Sequence, residues 1–119
     1  MIHDVTELEV YNRSMELLEQ TYGFLRNIPR SEYDTIDQLK RAAKSIPANI
    51  SEGFAKRTYP KEFKRFLQIA IGSSDECVTH LRTLYITVPK HRATTQILAE
   101  EYKILSKRTN KLRTSWIAD

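Results

Sequence analysis

A single cysteine, three glycines, four prolines and three histidines are spread over 119 residues, and each shortage closes off a class of protein. The lone Cys77 excludes an internal disulfide framework and points to a reducing compartment, so a cytoplasmic location is expected. So few glycines and prolines cannot supply the tight turns of a strand-rich architecture. No apolar run approaches the ~20 residues that a membrane-spanning helix needs, so no membrane partner is expected. Met1-Ile2-His3-Asp4 lacks a basic start followed by an apolar stretch, so the N-terminus does not read as a signal peptide. There is no glycine-rich phosphate loop and no cysteine-rich metal spacing.

What is present is helical periodicity. Thr6 and Glu9 fit a capping box opening a helix from about Glu7 to Asn27. Leu8, Tyr11, Met15, Leu18, Tyr22 and Leu25 recur along it at intervals of three and four, and Val10, Leu17 and Phe24 form a second stripe. A second helix is expected from about Thr35 to Gly53, on the spacing of Ile36, Leu39, Ala43, Ile46 and Ile50. Pro47 lies inside it and predicts a kink. A third runs from about Pro60 to Thr87, with Phe63, Phe66, Leu67, Ala70, Ser74, Cys77, Leu81, Leu84 and Val88 on one face. The last, about Thr94 to Trp116, repeats Leu98, Tyr102, Leu105, Thr109, Leu112 and Trp116.

Four amphipathic helices with short links predict one all-α domain over residues 1–119, an antiparallel up-and-down four-helix bundle. The second stripe of the first helix, and Ile97 with Ile104 on the last, exceed what one core needs. They point to a subunit interface and hence a homo-oligomer.

Arg41 to Gly53 reads R-A-A-K-S-I-P-A-N-I-S-E-G, Leu8 to Ser14 reads L-E-V-Y-N-R-S, and Phe63 to Ser73 reads F-K-R-F-L-Q-I-A-I-G-S. These segments resemble the bacterial "four helix bundle proteins", first noticed as products of intervening sequences in large-subunit ribosomal RNA genes. The resemblance implies a bundle that assembles as a ring, typically a homopentamer. It also implies similarity to the accessory variability protein of diversity-generating retroelements, a basic pentamer that binds the element's reverse transcriptase and nucleic acid. The family has no agreed enzymatic activity.

On the residues alone, the Arg41–Gly53 motif reads as scaffold first. Ala42, Ala43, Ser45 and Ala48 are small enough for a neighbouring helix to approach closely, and Ile46 and Ile50 continue the apolar spacing. Pro47 bends the helix. Asn49 and Glu52 are placed to satisfy freed backbone groups or to cap, and Gly53 to stop the helix.

Charge is unevenly distributed. Residues 1–39 hold three basic and eight acidic side chains, whereas residues 40–65 hold eight basic and two acidic. Lys40, Arg41, Lys44, Lys56, Arg57, Lys61, Lys64 and Arg65 form that basic zone. Lys103, Lys107 and Lys111, flanked by Arg108 and Arg113, form a second on the last helix. Such clusters suit phosphates without reading sequence, so RNA or DNA is a candidate partner. Phe54 and Tyr59 are the only aromatic residues placed for base stacking. A solvated face that merely maintains solubility is the plainer reading of the same charge.

Catalytic chemistry finds little footing. A di-metal bundle site needs paired Glu-x-x-His motifs, and Glu76 with His80 is one residue too wide and occurs once. No metal or cofactor is expected. Cys77 and His80 suggest a nucleophile pair, but no third residue is placed to orient it. No arginine precedes a histidine by the four to six residues found in small helical ribonucleases. The expectation is a non-enzymatic accessory protein that binds nucleic acid, a nucleic-acid enzyme, or both. The alternative is a structural or protein-interaction module without nucleic-acid binding.

Overall fold

The computed structural model describes residues 2–117. Four helices, α1 (Glu9–Leu25), α2 (Tyr33–Ala55), α3 (Pro60–Thr87) and α4 (Arg92–Ser115), account for most of them, and no strand occurs among the described residues. Single 3₁₀ turns at Val5–Glu7, Arg30–Glu32 and Pro89–His91 precede α1, α2 and α4. Each helix packs on its chain neighbours, and α1 also packs on α4, which closes the bundle. The links are too short for anything but reversal of direction. The body measures 46 × 19 × 19 Å, and α3 at ~1.5 Å per residue spans nearly its whole length.

The start of the chain differs from expectation. The capping box belongs to Asp4 and Glu7 rather than to Thr6 and Glu9. Asp4 accepts from the Thr6 N–H at 3.0 Å, and Glu7 accepts from the Asp4 N–H at 2.7 Å. These donors hold both carboxyls below their ordinary range. The box closes the 3₁₀ turn, and α1 begins two residues later than Thr6 would place it.

Along α1 the second stripe takes the core face, and of the first stripe only the terminal Leu8 and Leu25 are buried. Val10, Ser14, Leu17, Thr21 and Phe24 are buried, whereas Met15 is 43 % exposed and Tyr11, Leu18 and Tyr22 are half-buried. The sequence offers two apolar faces, and the stripe containing small Ser14 and Thr21 is the one that lets α4 approach. Thr21 Oγ1 lies 2.7 Å from the buried Tyr102 hydroxyl, which also donates to the Leu17 carbonyl at 3.3 Å. Ser74 donates to the Tyr102 carbonyl at 2.8 Å, so one residue of α4 is tied to both α1 and α3. All nine residues expected on the core face of α3 are buried.

The motif on α2 is scaffold in large part. The helix runs unbroken through buried Pro47 and stops only after Ala55. Asn49 donates to the Ser45 carbonyl at 2.8 Å and to its hydroxyl at 2.9 Å, not to the Ala43 carbonyl that proline leaves without its usual donor. Ser45 in turn meets Ser73 of α3 at 2.9 Å. Ala43, Ile46 and Ile50 are in the core, but Ala48 is exposed and mediates no contact between these helices. Gly53 is not the helix stop. It lies inside α2 at the closest approach to α3, where an added Cβ would sit 2.6 Å from Phe66 Cβ. Glu52 caps nothing and faces Lys56 at 3.9 Å.

Candidate nucleic-acid interface

Alternating helix directions bring the C-terminal ends of α2 and α4 to the same end of the bundle as the N-terminal ends of α1 and α3. Three contacts mark the convergence. Arg57 donates to the Ile2 carbonyl at 3.3 Å, Arg108 pairs with Glu9, and Trp116 packs edge-on to Phe63 with ring centres 4.8 Å apart. Members of two sequence clusters therefore come toward one end of the bundle: Lys56, Arg57, Lys61, Lys64 and Arg65 from the α2–α3 turn, and Lys107, Arg108, Lys111 and Arg113 from the second half of α4.

The fold also divides what the sequence grouped. Lys40, Arg41 and Lys44 lie on the first half of α2, with Lys40 sixteen residues before Lys56, or about 24 Å of helix. Lys40 is half-buried against the Tyr22 ring at 5.0 Å rather than turned outward, while Arg41 and Lys44 are exposed. Lys44 shares a groove with Met15, Leu18 and Tyr22. Lys103 separates from its stripe too. It sits toward mid-bundle, 3.6 Å from Glu100, in a groove with Asp75 and Arg82.

At the converged end the neighbouring acids are occupied. Glu9 pairs with Arg108, Glu52 with Lys56, and Glu62 with Arg65 at 3.0 Å, while Asp4 and Glu7 are engaged in their cap. Arg113 is held by the Asn110 side chain at 2.9 Å. Lys61, Lys64, Lys107 and Lys111 have no ion-pair partner among the described residues, and all but the half-buried Lys64 are exposed. Lys111 and Arg108 also line a shallow groove between α1 and α4, floored by Leu8, Val10 and Leu112. Four unpaired ammonium groups beside neutralised carboxylates are suited to phosphate oxygens.

Residues 6–111 match the family model described as 23S rRNA-intervening sequence protein. The chain belongs to that family. No curated protein matches it. The match covers α1 to α3 and all but the last residues of α4, so the intervening-sequence family motif on α2 and every member of the basic end except Arg113 fall inside it.

The other chemical candidates of this intervening-sequence family member do not assemble. His80 Nε2 turns to Glu76 at 3.1 Å, not to Cys77, and no cluster of three potential metal ligands occurs among the described residues. Cys77 is fully buried, and burial pushes its thiol far above the ordinary range, which keeps it protonated and unreactive. Phe54, expected to stack on bases, is buried beneath the Arg57 guanidinium, 4.1 Å from its ring centre. No described helix is long and apolar enough to cross a membrane. The linear order of charges does not show the convergence of the two basic clusters, but counting reversals in the expected up-and-down bundle anticipates it.

Surplus apolar surface persists on two faces. Met15, Leu18 and Tyr22 flank α2, whereas Ile97 and Ile104, 63 % and 41 % exposed, lie outward on α4. Arg13 of α1 bridges Glu101 of α4 at 2.6 Å between them.

Proposed function

We propose that this chain is a non-enzymatic, homo-oligomeric accessory protein that binds nucleic acid, and an enzyme acting on it such as a reverse transcriptase, through the basic end of the bundle. The observation that carries the proposal is the set of unpaired lysines, Lys61, Lys64, Lys107 and Lys111, gathered from two helices while the neighbouring acids are paired. Two unlike apolar faces favour head-to-tail contact between copies, the kind of contact from which a ring is built when its rotation closes. The family resemblance supports a pentamer for that ring. Each added copy repeats the basic end, and repetition turns weak phosphate contacts into avidity. Cytoplasmic residence follows from the same reading.

The test is a titration of fluorescent RNA and DNA at two salt concentrations, comparing wild type with the triple variant Lys61→Glu/Lys107→Glu/Lys111→Glu. Wild-type affinity falls steeply with salt. The variant flattens the log–log slope by about 2–3, near 0.7–0.9 per lost phosphate contact, with little dependence on base sequence. The same variant weakens the complex with a reverse transcriptase. Light scattering accompanies the titration, and a monomer mass at micromolar concentration defeats the assembly. Equal, negligible binding by both proteins leaves the interaction module as the better account.

A further inference from the structure

Three aromatic rings surround the α2–α3 turn, and two are already covered. Phe54 lies under Arg57, and Phe66 is held between Lys56 Nζ at 5.0 Å and Arg65 Cζ at 4.4 Å. The third, Tyr59, is 69 % exposed and makes no ring or cation contact among the described residues. Its backbone is nonetheless fixed. The Tyr59 N–H donates to the Lys56 carbonyl at 2.9 Å, and its own carbonyl accepts from the N–H groups of Glu62 at 2.9 Å and Phe63 at 3.2 Å.

Tyr59 is the N-cap of α3, a position where its side chain caps nothing. Ser, Thr, Asp or Asn there would satisfy a free N–H and add about 1 kcal/mol to stability. The fold therefore gains nothing from this ring, which stands on a rigid backbone within a field of ammonium and guanidinium groups.

We infer that Tyr59 is a base-stacking platform and that the basic end takes single-stranded nucleic acid in preference to duplex, an inference that rests on the nucleic-acid reading above. Bases in a duplex have their faces occupied by neighbouring bases, whereas a single strand offers them to an exposed aromatic side chain. A strand laid across the turn places one base on Tyr59 and its flanking phosphates near Lys61 and Lys64. Lys56 and Arg65, pinned on Phe66 and paired with Glu52 and Glu62, leave Lys61 and Lys64 as the unpaired charges of this turn.

The experiment titrates a short fluorescent single strand and its duplex at one salt concentration. The proteins are wild type, Tyr59→Ala, Tyr59→Leu, Tyr59→Trp and Lys107→Glu/Lys111→Glu. Wild type binds the single strand more tightly than the duplex. Tyr59→Ala and Tyr59→Leu weaken single-strand binding by about fivefold or more, the loss of one stacked base, and leave duplex binding unchanged. Tyr59→Trp retains the preference, and the lysine variant weakens both forms. Thermal melting changes little for all Tyr59 variants, because the side chain is largely exposed and caps nothing. Wild-type affinity in Tyr59→Ala overturns the inference while the lysine effect upholds the nucleic-acid reading. Wild-type affinity in Tyr59→Leu overturns it as well, since any apolar side chain then suffices. No binding of either form by wild type removes both.

Discussion

Replacing Tyr102 by phenylalanine probes the contact that ties α4 to α1. The Tyr102 side chain is fully buried, and its hydroxyl is bonded to Thr21, itself fully buried, and to the Leu17 carbonyl. Two net hydrogen bonds are worth ~0.5–1.5 kcal/mol each. The longer one, at 3.3 Å, belongs at the low end. The Thr21 hydroxyl left behind can rotate onto the carbonyl of Leu17 four residues earlier, which limits the penalty for an unpaired group. Tyr102→Phe should therefore destabilise by about 1–2 kcal/mol, or roughly 4–8 °C for a domain of this size. Thr21→Val should cost about the same. The double variant Thr21→Val/Tyr102→Phe removes both hydroxyls from one apolar site, so its loss should fall short of the summed single losses by at least ~0.5 kcal/mol. Urea unfolding at fixed protein concentration, with midpoints compared at constant m, measures all three. Single losses that simply add would refute the proposed bond, since independent groups show no coupling.

Glycine substitutions separate close approach from helix propensity. Gly53→Ala places a Cβ 2.6 Å from Phe66 Cβ and 3.1 Å from Phe63 Cδ1, and should destabilise by about 1–3 kcal/mol. Gly23→Ala and Gly72→Ala meet nothing within 4 Å and should stabilise by ~0.5–1 kcal/mol, a contrast read in the same urea titrations. Burial raises both the Cys77 thiol and the Tyr102 hydroxyl, so the folded state favours their neutral forms. Stability from these groups is complete below their unfolded pKa values, about 8.5 and 10, and declines as pH rises above them. Denaturant midpoints measured from pH 7 to 11 should fall on the alkaline side. A thiol reagent should label Cys77 only in step with unfolding, and rapid labelling of the folded protein would contradict its burial.

Much of this architecture is legible in the chain itself, because helical periodicity is a local property. The core face of α3 follows from its spacing, and the family motif carries the Ala43, Ile46 and Ile50 contacts into α2. Surplus apolar residues on α4 were also evident, since Ile97 and Ile104 fall between core positions. Periodicity is silent where two faces compete. On α1 both stripes are apolar, and only the approach of Tyr102 decides that Thr21 and Leu17 turn inward while Met15 stays out. Gly53 reads as a stop by local rules, yet its reason is a neighbour on another helix. The candidate site shows the same division. Residue types and net charge announce a polyanion-binding surface, but charge along a chain has no address in space. The length of α2 separates Lys40, Arg41 and Lys44 from Lys56, Lys103 is drawn toward Glu100 and Asp75, and antiparallel packing brings Lys61 and Lys64 to the end that carries Lys107 and Lys111. Ion pairs and buried faces then select among them, occupying Lys56 and Arg65, covering Phe54, and leaving Tyr59 in the open. Those selections depend on which side chains meet across the bundle, a relation between distant residues that exists only once the helices have packed.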